Sequence, residues 1–276
     1  MAFLDWDLTT DQIFTVHQIV STVFLLLTCV GWFGNSTLIF VTIRSSKLRS
    51  KCNFLVAIQA CTDMISQTSH FFYGYFAINE TLVPFKTCYK INFLFISSVD
   101  FSTLLVLFIA LDRLISVKWP AYYTSVKPIP YVAKIVILLL LYCALVKFMS
   151  FTPLIDDKVM CLILTGTYGS GTLIWFICKS VVCVGILLTY VLFSRVINDA
   201  QQRGKANKYG SINQSVKIYI LSFLFSWFLS AILGLFFYFY TTKREVYAVL
   251  LALDGGRSKK CSVAKTAHGL MKVYLN

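Results

Sequence analysis

Between Phe93 and Leu111 the chain carries almost nothing but apolar side chains, a few small hydroxyls and Asp100, and then it meets Asp112-Arg113. At ~1.5 Å of rise per helical residue, such a run is long enough to cross a hydrocarbon layer about 30 Å thick. No water is present there to satisfy backbone N–H and C=O groups, so the run has to be a helix or part of a closed barrel. Apolar runs of similar length recur at about 16–43, 54–78, 88–117, 131–151, 172–197 and 216–240. A barrel would show ~10-residue alternating segments instead. The predicted fold class is therefore all-α, an integral membrane helical bundle with six clear spans. Composition agrees: 58% of the residues are hydrophobic and 13% charged, against roughly 45–50% and 25% in soluble domains.

The net charge of +13 does not point to nucleic acid, because most of the basic residues lie in the loops between spans or in the tail. Positive charge in such loops sets topology. Arg44, Lys47, Arg49 and Lys51 follow the first span at once, while residues 1–15 hold Asp5, Asp7 and Asp11 and no Lys or Arg. The N-terminus is therefore expected outside the cell membrane, without a cleavable signal peptide, since the basic n-region is missing. In that topology the sequon Asn79-Glu80-Thr81 lies outside and is the glycosylation candidate. The sequons at Asn35 and Asn213 go unused.

Nine cysteines show no spacing suited to zinc, and most lie inside apolar runs as small buried hydrophobes. Cys88 and Cys161 differ: each falls at a span end on the outer side, where an oxidising compartment permits a disulfide. His17, His70 and His268 have no nucleophile and acid at a catalytic spacing, and no Gly-rich phosphate loop is present. No enzyme, metal or cofactor is expected. Asn35, Asp63, Asp100 and Lys179 are polar or charged within spans, which suits either interhelical hydrogen bonds or an ion pathway. Against a transporter stand the lack of an internal repeat and of paired broken helices.

Cys88 precedes Arg113 by 25 residues and Pro120 follows it by 7. With Asp112-Arg113-Leu114, these spacings resemble the third helix of rhodopsin-like (family A) G-protein-coupled receptors. The stretches Lys47-Leu48-Arg49-Ser50-Lys51-Cys52-Asn53 and Leu111-Asp112-Arg113-Leu114-Ile115-Ser116-Val117 are similar to the nematode serpentine chemoreceptor class srsx. The resemblance covers about Gly31 to Tyr240. It implies a seven-transmembrane receptor that passes ligand binding to a heterotrimeric G protein by selection between two bundle arrangements.

The residues that carry over are specific. Asp112, Arg113, Pro120 and Tyr190 stand at the coupling end, where Arg113 would leave Asp112 to meet the G-protein tail. Asn35 and Asp63 match a polar network that often holds sodium, and Cys88–Cys161 matches the bridge from the third helix to the outer loop. Phe223 and Trp227, four residues apart on one helix face, match the aromatic pair of the sixth helix. Phe95 stands where amine receptors carry their ligand-binding acid, which disfavours a biogenic amine and leaves odorants and short peptides open. Departures are the missing tryptophan of the fourth span, the missing proline of the fifth, and Leu229 in place of the sixth's proline. A receptor dimer is compatible with this reading.

Two further expectations concern depth and the tail. Asp100 lies 13 residues before Arg113, and Lys179 lies 16 before Arg195, heights of ~20 and ~24 Å above the inner face. In the resembling receptors the third and fifth helices touch near this height, so an Asp100–Lys179 ion pair at the floor of the ligand cavity is expected. The alternative is a snorkelling Lys179 beside a neutral Asp100. After Tyr240 no proline remains, and Val246 to Leu253 is the only apolar run. Eight residues do not span a bilayer. Residues 241–276, with Arg257, Lys259, Lys260, Lys265 and Lys272, read as an atypical tail of a truncated, spliced or mis-assembled version without its seventh span. A non-signalling variant or regulatory membrane fragment is the alternative function.

Overall fold

The computed structural model describes residues 10–45, 50–149, 158–163 and 170–200. In order the elements are α1 (Thr10–Arg44), α2 (Lys51–Gln67), α3 (Ser69–Ile78), β1 (Val83–Pro84), α4 (Phe85–Lys118), α5 (Pro120–Ser125), α6 (Pro128–Met149), β2 (Lys158–Val159) and α7 (Ser170–Ala200). Four helical stretches among the described residues are long and apolar enough to cross a membrane: His17–Arg44, Phe85–Lys118, Pro128–Met149 and Gly171–Asp199. They correspond to the first, third, fourth and fifth predicted spans. The predicted sixth span, with Phe223 and Trp227, and the tail 241–276 lie outside the described residues, as do residues 1–9.

The second predicted span is not one helix. It is α2 followed by α3, meeting at Thr68. Around that joint the hydroxyls of Thr62, Ser66, Thr68 and Ser69 donate to carbonyls three or four residues earlier. The Thr68 N–H is shared between the Met64 and Ile65 carbonyls, both at 3.2 Å. Hydroxyls that compete for the helix's own acceptors loosen its ladder and bend it.

The remaining breaks follow from local chemistry. Ser50 caps α2, its Oγ accepting from the Asn53 N–H at 3.3 Å. Pro120 keeps Trp119 out of the helical region (φ −129°, ψ 65°), so α4 stops at Lys118, and the same proline opens α5 as its first residue. At the other end α3 closes on Asn79, whose side-chain amide donates to the Tyr75 carbonyl at 2.7 Å, and Glu80 turns the chain at φ 49°.

α4 is the axis of the bundle. Its Phe101, Leu105 and Ile109 pack with Cys52 and Leu55 of α2 and with Ile135, Leu139 and Cys143 of α6. On another face Val106 and Ala110 meet Val182 and Ile186 of α7. Lipid tails are as apolar as these side chains, so close packing rather than exclusion from water holds such seams. α1, by contrast, leaves Leu26, Leu27, Val30 and Phe33 exposed. That is the surface a bilayer would cover.

The all-α expectation misses a small antiparallel sheet, in which Val83 pairs with Val159 and Pro84 with Lys158. Two-residue strands carry no periodic signal. A Cys88–Cys161 disulfide, with Cα atoms 5.3 Å apart, lays the second strand beside the start of α4.

Candidate functional site

The middle of α4 carries a buried carboxylate between two lysines. Asp100 is 0% exposed. Its Oδ1 lies 3.1 Å from Lys179 Nζ of α7 and accepts a 2.7 Å hydrogen bond from Trp175 Nε1. Its Oδ2 lies 3.3 Å from Lys147 Nζ of α6. Lys179 also donates to the Val99 carbonyl at 2.8 Å and to Thr103 Oγ1 at 2.6 Å, with the Trp175 ring centroid 5.4 Å away. Lys179 therefore points into the bundle and does not snorkel. Lys147 was not foreseen. Its signal was the one that drew attention to Lys179, an isolated base inside an apolar run.

Phe95, the third cavity candidate, does not join them. It is buried and tilted against Phe72 of α3, with ring centroids 5.6 Å apart. One turn nearer the disulfide, Asn92 is buried with its amide nitrogen 3.3 Å from both bridge sulfurs and donates to the Leu162 carbonyl at 3.1 Å. An Asn four residues after the bridged cysteine is the only trace of this in the sequence.

Asp63 is held from α2 and α4, not from α1. Ser102 Oγ donates to Asp63 Oδ1 at 2.7 Å, Gln59 Nε2 donates to the same oxygen at 3.0 Å, and Gln59 also bonds Ser102. Asn35 is half-buried, and among the described residues no hydrogen bond joins it to Asp63. The expected Asn35–Asp63 link is thus replaced. Gln59 lies one turn before Asp63 on the same helix face, and Ser102 faces both across the tight α2–α4 seam. α1 is tied elsewhere: Trp32 donates to the Met64 carbonyl at 3.3 Å, and Thr28 and His17 meet His70 and Tyr73 at 2.8 and 2.7 Å.

At the far end of α4 the expected Asp112–Arg113 ion pair is also corrected. Among the described residues none forms. Consecutive helix residues point about 100° apart and do not face each other. Asp112 turns inward, fully buried, and its Oδ2 accepts from the Tyr123 hydroxyl at 3.1 Å, whereas Arg113 stays half-buried. Pro120 matters here because it starts α5, which carries Tyr123 back to the bundle. Lys51, expected as a loop charge, is the buried first residue of α2. Its Nζ donates to the Tyr123 carbonyl and lies 4.1 Å from the Tyr123 ring centroid and 5.7 Å from that of Tyr131. Burial, and then the Asp112 charge, push the Tyr123 hydroxyl above its usual range. Tyr190 packs half-buried against the α4–α7 seam.

Residues 28–255 match the serpentine type 7TM GPCR chemoreceptors called Srsx. The chain belongs to that family. The match continues 15 residues past Tyr240, where the resemblance in the sequence was expected to stop. No curated protein matches the chain. Srsx proteins are multi-pass membrane receptors rather than enzymes, in keeping with the apolar helices and the bridge from Cys88 to Cys161.

Proposed function

We propose that this Srsx chain is a chemosensory receptor of the cell membrane, N-terminus outside, which couples ligand binding to a heterotrimeric G protein. The observation that carries the reading is at the end of α4. Asp112 is occupied by Tyr123, and among the described residues no ion pair holds Arg113. A guanidinium so placed has its rigid fork of donors available for the carbonyls of an incoming helix tail. Ligand binding would favour the arrangement in which the ends of α4, α7 and the sixth span separate to admit that tail. Tyr190 and Pro120 shape this end, and Phe223 and Trp227 would relay the change.

Arg113→Ala is expected to lower receptor-driven GTP exchange about tenfold or more at equal surface level, within the 5–150-fold range of ordinary coupling free energies. The assay takes residues 1–276. Unchanged exchange in the variant defeats the coupling role. A second reading, a regulatory fragment that pairs with other receptors without signalling, is favoured by the eight-residue run Val246–Leu253. Exchange by residues 1–276 alone defeats that one.

The oxygens around Asp63 fit a monovalent cation. The Asp63 carboxylate and the Ser102 hydroxyl lie together, and Gln59, whose Nε2 now bonds both, has a buried Oε1 without a hydrogen-bond partner among the described residues that it would turn toward them. Those three would hold a sodium ion and tie α2 to α4. Orientation has its own test. Asn79 is exposed at the end of α3, so carbohydrate is expected there and lost in Asn79→Gln. Carbohydrate on Asn213 with none at Asn79 inverts the topology.

A further inference from the structure

We propose that the α4–α6 connection and the outer face of α6 bind an anionic phospholipid, with Lys127 and Lys134 on its headgroup and a leucine stripe of α6 along its acyl chains. Such a site is independent of G-protein coupling and of which leaflet the Arg113 end of the bundle faces. Charge points there first. From Arg113 to Ile155 the sequence has no Asp or Glu, and Lys118, Lys127 and Lys134 all fall near the Arg113 end of that stretch. The three lysines are exposed, and among the described residues none of them makes an ion pair.

Lys134 is the most telling of them. It stands six residues into α6, ~9 Å along the axis from Pro128. Ile135, Leu139 and Cys143 turn inward and pack with residues of α2 and α4, whereas Lys134, Leu138, Leu141 and Leu145 recur at helical spacing on an exposed stripe. In a membrane helix that stripe faces lipid. An ammonium there is costly unless its stem carries it back to the headgroup level, where phosphate oxygens can meet it. Lys127 is already at that level: its carbonyl accepts from the Tyr131 N–H at 3.4 Å, at the start of the same helix.

The neighbouring aromatics mark the same boundary. Trp119, Tyr122 and Ile129 are 52%, 63% and 77% exposed, α5 buries none of its residues, and Lys118 Nζ lies 4.6 Å from the Trp119 ring centroid. Trp and Tyr concentrate where hydrocarbon meets headgroups, because one end of each ring is apolar and the other is wet. Together these features select the occupant. An anionic headgroup satisfies the lysines, and its chains cover Leu138, Leu141 and Leu145. A helix tail that enters beside Arg113 does not reach the outer stripe of α6, and a soluble phosphate leaves the leucines uncovered.

The test titrates lipid into the purified full-length protein in uncharged detergent and counts bound lipids by native mass spectrometry. Probes are dioleoyl phosphatidylserine, dioleoyl phosphatidylcholine and the chain-free headgroup glycerophosphoserine. Phosphatidylserine is expected to bind more tightly than phosphatidylcholine, and glycerophosphoserine is not expected to displace it. The double variant Lys127→Gln, Lys134→Gln should bind phosphatidylserine about tenfold or more weakly, since each lysine near an anionic surface is worth about a factor of five. Both side chains are exposed, so its unfolding midpoint should match the parent's. Lys134→Arg should keep the affinity. The pair Lys86→Gln, Lys90→Gln removes the same charge from exposed positions at the other end of α4 and should leave phosphatidylserine binding unchanged. The site is overturned if the two lipids bind alike, if glycerophosphoserine displaces the lipid, if the Lys127, Lys134 variant binds as the parent does, or if the Lys86, Lys90 variant loses as much. GTP exchange is not read, so a failure of the receptor reading leaves this result untouched.

Discussion

Asp100→Ala is expected to remove the protein from the cell surface. The substitution takes from Lys147 and Lys179 the buried carboxylate that both face and leaves the Trp175 N–H without its acceptor. Breaking a buried pair from one side costs about 3–5 kcal/mol, a large part of the roughly 5–15 kcal/mol that holds a folded protein together. Asp100→Lys and Lys179→Asp should be as damaging singly. The double swap alone is a poor rescue, since a lysine at position 100 would then face Lys147. In a Lys147→Met background that repulsion is gone, and the swapped pair should restore surface expression well above the sum of the single effects. Flow cytometry of a tagged chain reads each level. Simple additivity in that background would show that the two positions are not energetically coupled.

Cys88→Ser and Cys161→Ser are expected to lower surface expression to the same extent, and the double variant no further. Either change opens the same closure, which spans 73 residues. Loss of a native bridge typically costs ~2–5 kcal/mol. It also loosens β2, which pairs with β1 over only two residues. Surface levels that stay at the parent value in both single variants would remove the bridge from the account of folding. A double variant clearly worse than either single would mean that the thiols act separately.

What the residues declare about themselves here is height. Helical rise converts residue number into depth along a span. Asp100 and Lys179 could therefore be matched from the chain alone, Cys88 and Cys161 assigned to one side, and Arg113 to the other. Apolar length likewise announces a membrane bundle, and the residues around Asp112-Arg113 carry the Srsx resemblance by themselves. None of this depends on which way a helix is rotated.

Rotation was decided only by packing. Nothing in the residue order shows that the face of α6 that carries Lys147 turns toward Asp100. Asp63 was expected to meet Asn35, yet the α2–α4 seam brings Ser102 to it first. Asp112 looks paired with its neighbour Arg113 when written as text, but a turn of ~100° between consecutive side chains sends one to Tyr123 and leaves the other at the rim. Lys51, set down as a loop charge, ends beneath two tyrosine rings because α5 folds back upon it. The chain by itself determined the environment, the heights of its polar groups and the family, since each is a property of residues counted along an axis. Which groups meet was settled by the rotation and tilt of α2, α6 and α7 about α4, which arise from the fit of all their side chains at once.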